Sequence, residues 1–159
     1  MTVSNSIEEF WQSYLAACGF QEAHSSPPEA WSFGDNPTLA DELCRLVLAG
    51  IKTATCSLLW EYEANRESIP QEGQLSILLD GQGKPHAIIE TTQVTIQPFN
   101  QVDAGFAYEE GEGDRSLESW RREHWRYFSR IIQSKTWVLD ENMPLVCERF
   151  RLLWTKQNK

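Results

Sequence analysis

The spacing of apolar residues predicts two amphipathic helices in the first third of the chain. Within residues 6–18, apolar side chains recur every three or four positions up to Gly19, which is the period of a helix. Ser6 and Glu9 have the spacing of a capping box at its start. A second helix is expected from about Thr38 to Gly50. The Pro- and Gly-containing residues 21–37 between them predict a loop.

Strand patterns follow the second helix. Residues 53–60 are rich in β-branched and apolar side chains, and residues 74–79 and 85–96 flank a turn at residues 80–84. This order predicts one strand followed by a hairpin. Residues 145–154 alternate in residue type and predict a last strand.

One more helix is expected between the hairpin and the last strand. The acidic, Gly-rich residues 105–114 are expected to be irregular, and Asp114 or Ser116 can cap a helix that ends near Gln133. One face of that helix carries Leu117, Trp120, His124, Phe128 and Ile131. Helices, strands, a helix and a strand in this order predict an α+β fold. Its sheet is expected to be small and mostly antiparallel, either strongly curled or closed into a small β-barrel, with flanking helices.

Composition narrows the class of protein. The chain has 159 residues, a size typical of one domain, and we expect a single domain over residues 1–159. The four cysteines form no C-x-x-C pair, and charged or polar residues interrupt every apolar stretch, so we expect a reduced, cytoplasmic protein with no membrane partner. With 14 basic and 23 acidic residues the formal charge is −9, which disfavours tight binding of a long polyanion.

Two segments carry candidate chemistry. In the first, Gly50 ends a helix and is followed by Lys52, Thr53 and Thr55 before a strand, so the turn can present these side chains to a cleft. The alternative interpretation is a C-capping glycine with a lysine placed favourably at the helix end. The string is not a phosphate-binding P-loop, because it lacks that motif's spacer and second glycine.

The second segment is the acidic stretch before the third predicted helix. It lacks the alternation and the twelfth-position glutamate of a calcium loop, and the chain shows no His/Cys cluster with zinc spacing. We therefore expect no metal and no cofactor. Trp120 and Arg121 could stack on a base, and His124 could contact the same ligand. The alternatives are core packing for Trp120, a surface ion pair for Arg121 and a structural role for His124.

Together the two segments resemble the longer type of bacterial ASCH domain in the PUA-like superfamily. The similarity is in Gly50-x-Lys52-Thr53-x-Thr55 and in Phe106-Ala-x-x-Glu110-Gly-Glu-Gly-Asp114-x-Ser116-Leu117-x-x-Trp120-Arg121-x-x-His124. It covers most of residues 38–154, onto which the helix at 6–18 would pack. The resemblance implies a PUA-like β-barrel with flanking helices and a cleft for a nucleoside or short RNA.

The resemblance also implies an activity. A short bacterial member of the superfamily removes the acetyl group from N(4)-acetylcytidine with a Lys, a Thr and a Glu. Its motif matches Lys52 and Thr55, and a shorter match indicates Glu110 as the third catalytic residue. Thr53, Trp120, Arg121 and His124 are then substrate-binding candidates. This chain is longer and carries Cys56-Ser57 where the short type has a further basic residue.

Three functions follow as expectations: amide hydrolysis of a modified nucleoside, RNA binding without turnover, and metal-independent ribonuclease activity. In the first, Lys52 would be the base that activates the Thr55 hydroxyl, which requires a lowered lysine pKa. Burial lowers the pKa of a lysine, whereas a neighbouring carboxylate such as that of Glu110 raises it. The sequence leaves the direction of the shift open.

Overall fold

The computed structural model describes residues 3–19 and 26–156, with side chains from Ser6 onward. Its α-helices are α1 (Val3–Ala17), α2 (Pro37–Leu48), α3 (Leu59–Asn65), α4 (Ala104–Glu110) and α5 (Leu117–Ile132). Its strands are β1 (Ala30–Trp31), β2 (Ala54–Leu58), β3 (Leu75–Leu79), β4 (Pro85–Pro98) and β5 (Pro144–Thr155). A 3₁₀ turn, Phe99–Gln101, follows β4.

The strands form one sheet in the order β1-β3-β4-β5-β2. Neighbours are antiparallel except β1, which runs parallel to β3. The predicted α+β fold with a mostly antiparallel sheet is confirmed. Within the described part of the chain the sheet is open, since the edge strands β1 and β2 do not pair with each other. The other alternative, a closed β-barrel, is therefore not what these residues form. The edge strand β1 has only two residues.

Helices cover both faces of the sheet. Alternation along β3 sends Ile77 to one face and Leu78 to the other. Ile77 packs in a cluster with the apolar side of α1, and Leu78 packs in a second cluster with α2. A third cluster joins α4 and α5 to β2 and β5, with Phe106, Trp120 and Phe128 at its centre. The site described below lies where α2, α4 and α5 approach β2.

Most predicted elements are confirmed with shifted ends. The first helix begins at Val3 and not at Ser6, so the proposed capping box lies inside it. The second helix, α2, begins at Pro37, one residue before the predicted start, and Asn36 caps it by accepting a hydrogen bond from the Leu39 amide. The predicted loop over residues 21–37 contains β1, and its residues 21–25 lie outside the described residues. No helix in the described segments is long and apolar enough to cross a membrane.

Two helices contradict the sequence interpretation. The stretch predicted as irregular contains α4, which Asp103 caps by accepting from the Phe106 amide. Glycines and acidic residues indicated a loop, but Phe106 and Ala107 are buried, and their packing outweighs the weak local helix propensity. The strand predicted over residues 53–60 ends at Leu58, and the chain turns directly into α3. The cap at Ser116 and the end of α5 agree with the prediction.

Candidate functional site

The loop after α2 directs Lys52 into the protein. Gly50 has a φ of 77°, in the left-handed region that glycine tolerates best, and it reverses the chain at the helix end. The amides of Ile51 and Lys52 both donate to the carbonyl of Leu46. The Thr53 amide then donates to the Glu109 carbonyl, at 2.8 Å, which joins the loop to α4.

Lys52 is buried, with 1% of its surface exposed. Its Nζ makes three short hydrogen bonds, to the Ala54 carbonyl at 2.8 Å, to Glu110 Oε1 at 3.0 Å and to Glu112 Oε2 at 3.0 Å, beside a longer contact of 3.4 Å with the Glu110 carbonyl. An ammonium has three protons, so these bonds use all of them. The Phe33 ring covers the same group, with its centroid 5.1 Å from Nζ.

Glu110 is the last residue of α4, and both its oxygens are engaged. Oε1 accepts from Lys52, while Oε2 accepts from Trp120 Nε1 at 2.8 Å and lies 3.1 Å from His124 Nε2. Gly111 follows with a φ of 77°, and a Cβ there would lie 2.7 Å from the Ile51 carbonyl oxygen. A glycine at this position therefore lets the end of α4 approach the Lys52 loop closely enough for the ion pair to form.

The two ring-nitrogen contacts of His124 favour a charged imidazolium. Nδ1 lies 3.0 Å from the Trp120 carbonyl, which only accepts, so Nδ1 must carry a proton. Nε2 faces the Glu110 carboxylate, which also only accepts in its ionised form. Burial lowers the pKa of His124, but Glu110 raises it more, and the net pKa lies above its ordinary value. The His124 ring also stacks on Trp120, with centroids 4.3 Å apart.

The same balance decides the charge of Lys52. Burial lowers its pKa, but the carboxylates of Glu110 and Glu112 outweigh burial and raise the pKa above the usual value for lysine. Burial raises the pKa of Glu110, and Lys52 and His124 outweigh it, so that pKa is lowered. Two cations and two carboxylates thus form a neutral group, buried except for Glu112, which we call the charge network: Lys52, Glu110, Glu112 and His124.

The charge network opens onto a cavity of about 670 Å³, a volume in the range typical of small-molecule sites. Lys52, Thr55, Glu110 and His124 line it. Trp120 is buried behind Glu110 and acts on the cavity through it. Thr53 and Arg121 are not among the lining residues; the Thr53 hydroxyl donates to the Glu109 carbonyl at 3.4 Å, and Arg121 is exposed.

Sequence reasoning missed several lining residues. Phe33 and Trp31 form an aromatic wall, with ring centroids 4.8 Å apart, and the Ser57 hydroxyl donates to Tyr62 Oη at 2.9 Å. Glu148 is buried within β5 and accepts from Thr91 Oγ1 at 2.6 Å. The available signal was a pair of charged residues, Glu148 and Arg149, between the apolar residues of a predicted strand, where alternation turns one of the two toward the covered face.

Within the described residues, Cys56, Glu110 and His124 each place a potential ligand atom within 4.8 Å of the others. Their chemistry opposes a metal. Nε2 of His124 would have to lose its proton, and burial together with Glu110 raises the pKa of the Cys56 thiol well above its ordinary value. The Lys52 ammonium already occupies Oε1 of Glu110. The expectation of a metal-independent site therefore stays a prediction.

The open five-stranded sheet, its flanking helices and the cavity at the ends of α2 and α4 define a PUA-like α+β domain. The profile of the ASCH domain family matches residues 29–154. The chain belongs to the ASCH domain family.

Solved structures agree with this assignment. The chain is similar to protein EF3133 of Enterococcus faecalis V583, of family DUF984, with 38% identity, 94% of this chain and 88% of that chain covered, and a TM-score of 0.85. It is equally similar to an ASCH domain of Lactobacillus crispatus JV V101, with 34% identity, coverage of 93% and 94%, and a TM-score of 0.85. The hypothetical protein PH0355 shares the fold alone, with 16% identity, coverage of 78% and 99%, and a TM-score of 0.51. No curated protein matches this sequence.

Proposed function

We propose that this ASCH domain hydrolyses the amide of a modified nucleoside, with N(4)-acetylcytidine as the substrate and cytidine and acetate as the products. The observation that carries the proposal is that Lys52, Thr55 and Glu110 line one cavity, although 58 residues separate Lys52 from Glu110 in the chain. The cavity volume suits a nucleoside, and the wall of Trp31 and Phe33 offers a surface on which a base can stack.

The charge state of Lys52 changes its role in this reaction. Because its pKa is raised, Lys52 is an ammonium and not the base of the earlier hypothesis. Of its carboxylate partners, Glu112 is the accessible one, with 28% of its side chain exposed. A substrate carbonyl that replaces Glu112 at Nζ would receive a hydrogen bond where negative charge develops. The Thr55 hydroxyl oxygen bonds to the carbonyl carbon while its proton passes to a carboxylate of the cavity. That proton then moves to the amide nitrogen as the C–N bond breaks and cytidine leaves, and a water hydrolyses the acetylated Thr55 to release acetate.

Charge disfavours the ribonuclease alternative. Six carboxylates line the cavity: Glu29, Glu67, Glu110, Glu112, Glu123 and Glu148. The lining cations are Lys52, Arg130 and His124, and Lys52 and Arg130 are already paired with carboxylates. A phosphodiester brings further negative charge into this site, whereas an uncharged nucleoside does not.

Binding without turnover is the second candidate. It is favoured by the three internal hydrogen bonds of Lys52, which leave no proton free for a substrate until Glu112 moves. In this case the cavity would hold a nucleoside or the end of a short RNA, and the charge network would be a structural support.

One experiment separates these functions. The purified protein is incubated with N(4)-acetylcytidine and with a short RNA, with and without EDTA, while acetate release and strand cleavage are followed. We expect acetate release that EDTA does not affect and that Thr55→Val, a change of similar shape, abolishes. Arg121→Ala, on the exposed face of α5, is the control and should retain activity. Binding without acetate release would favour the second candidate, and strand cleavage would favour the ribonuclease.

A further inference from the structure

Glu148 is a buried carboxylate that does not belong to the charge network and that the network does not pair with a cation. It lies inside β5 with 7% of its surface exposed, and Oε1 accepts a hydrogen bond from Thr91 Oγ1. Burial raises its pKa, which the Thr91 bond offsets in part. A carboxylate placed in a strand interior with one partner is costly unless something else satisfies it.

The second oxygen of Glu148 faces the cavity. Among residues 3–19 and 26–156 no group donates a hydrogen bond to Oε2. In the same residues, every side-chain nitrogen or oxygen that is fully shielded from solvent has a hydrogen-bond partner. Oε2 must therefore reach solvent. Glu148 is otherwise covered and lines the cavity, so its open side is the cavity.

The neighbours of Glu148 add polar groups on the same side of the sheet. Thr55 of β2 is its cross-strand partner, and partners in an antiparallel pair project from the same face. Ser57, two residues along β2, shares that face. Ser57 and Tyr62 are joined by one hydrogen bond, which uses one of their two hydroxyl protons and leaves the other available. Glu148 thus supplies a free acceptor in a cavity where the Ser57–Tyr62 pair supplies a free donor.

We propose that Glu148 determines ligand specificity: its Oε2 accepts a hydrogen bond from an N–H or O–H group of an uncharged ligand, within a polar subsite completed by the Ser57–Tyr62 pair. The class of ligand, a nucleoside, is taken from the proposed function, and in this respect the subsite rests on it. Two groups of a nucleoside have the required chemistry, the exocyclic amine of the base and the hydroxyls of the ribose. An anionic group cannot replace them, because it would meet a carboxylate.

The test is a binding cycle in which protein and ligand each lose one group. The proteins are the wild type, Glu148→Gln and Glu90→Gln; Glu90 is a half-buried strand carboxylate on β4 that pairs with Arg151 and does not line the cavity, so it is the matched control. The probes are cytidine, its 2′-deoxy and 3′-deoxy forms, and the riboside of 2-pyrimidinone, which lacks the amine. Dissociation constants are measured by calorimetry.

Glu148→Gln is expected to weaken cytidine binding by roughly tenfold or more, since it replaces a charged acceptor, while Glu90→Gln leaves it unchanged. One of the three probes that lack a donor should bind the wild type as weakly as cytidine binds Glu148→Gln. Its affinity should not fall further when it is measured with Glu148→Gln. That probe identifies the group that Glu148 contacts. Thr91→Val is the second variant; it keeps the carboxylate but removes its anchor, and a smaller loss is expected.

Three results would overturn the proposal. Glu148→Gln could bind cytidine with wild-type affinity, or it could weaken cytidine and all three donor-lacking probes by the same factor. The third result is that the wild type binds none of the probes. The proposed function fails separately. If cytidine binding depends on Glu148 but N(4)-acetylcytidine is not hydrolysed, the subsite stands without the activity. If Glu148→Gln hydrolyses N(4)-acetylcytidine with unchanged kcat and KM, the activity stands without the subsite.

Discussion

The ammonium group of Lys52 is held by three acceptors and is shielded from solvent, so its removal leaves Glu110 as a buried carboxylate without its closest cation. We predict that Lys52→Met lowers the free energy of unfolding by about 3–5 kcal/mol, the usual effect of breaking a buried pair. Urea denaturation measures this change. The double variant Lys52→Met/Glu110→Gln should lose less than the sum of the single variants, since it removes both charges.

Arg126 on α5 provides the control for that prediction. It pairs with Glu123 at 3.2 Å, but its side chain is 65% exposed. Arg126→Gln should therefore change stability by less than about 1 kcal/mol. A Lys52→Met protein as stable as Arg126→Gln would show that the charge network contributes nothing to folding.

His124 gives the protein a specific dependence of stability on pH. Its pKa in the folded protein lies above the ordinary value of 6.5, so the stability it contributes is full below that pH and is lost as pH rises through the folded-state pKa. We predict that the free energy of unfolding declines from about pH 6.5 toward alkaline pH, and that His124→Gln removes this slope. His86→Gln, at the β3–β4 turn, should keep it. Denaturation at a series of pH values provides the measurement, and an unchanged slope in His124→Gln contradicts the assignment of a charged imidazolium.

The sequence predicted which residues share a cavity, but it did not predict their charge state. Lys52, Thr55 and Glu110 were found through the family resemblance, and the structure brings them to one cavity. The direction of the lysine pKa shift was not accessible, because it depends on how closely Glu110, and then Glu112, approach Nζ against the effect of burial. Glu148 was not found, because Glu148 and Arg149 are adjacent charged residues on opposite faces of a strand, and the sequence pattern does not reveal which of the two is buried.

The end of α4 is the element on which the site depends most. Gly111 combines a left-handed φ with a close approach to the Ile51 carbonyl, so any side chain there forces α4 away from the Lys52 loop. We predict that Gly111→Ala destabilises the protein by more than the roughly 1–2 kcal/mol cost of the backbone conformation alone. Gly105→Ala, in the first turn of α4, is the matched control.

An added Cβ at Gly105 would meet only Asp103 Oδ1, at an acceptable 3.4 Å. Gly105→Ala should therefore be neutral or stabilise α4 by up to about 1 kcal/mol. Thermal unfolding of both variants tests the comparison. Equal midpoints would mean that the helix can shift without loss, and that its contact with the Lys52 loop is not required.

The elements with the clearest signal in the sequence are those with long periodic patterns. The apolar face of α5 spans four turns, and β4 and β5 contain 14 and 12 residues. Their periodic patterns repeat often enough to be distinguished from chance alternation of apolar and polar residues. The helices α3 and α4 have seven residues each and depend on tertiary packing. A two-residue strand such as β1 is too short to show a periodic pattern. Whether a sheet closes depends on its edge strands, so the sequence did not decide between an open sheet and a barrel.

For the whole molecule, charge predicts how binding responds to salt. The chain carries a formal charge of −9, and carboxylates outnumber cations in the cavity. We predict that nucleoside affinity changes by less than about twofold between 50 and 200 mM salt, whereas a protein with many phosphate contacts loses about 10³–10⁵. Calorimetry with cytidine at both salt concentrations measures this. A steep loss would indicate that an extended nucleic acid is the ligand.

The charge network also restricts how this family can diverge. Its four groups come from the loop after α2, the end of α4, the segment that follows and α5, and together they carry no net charge. Losing one of them costs a large share of the 5–15 kcal/mol that stabilises a typical domain. A lineage therefore cannot replace these residues one at a time without passing through a poorly folded intermediate. Relatives should keep all four residues, or have changed at least two of them together, so a relative with one isolated replacement and normal stability would contradict this constraint.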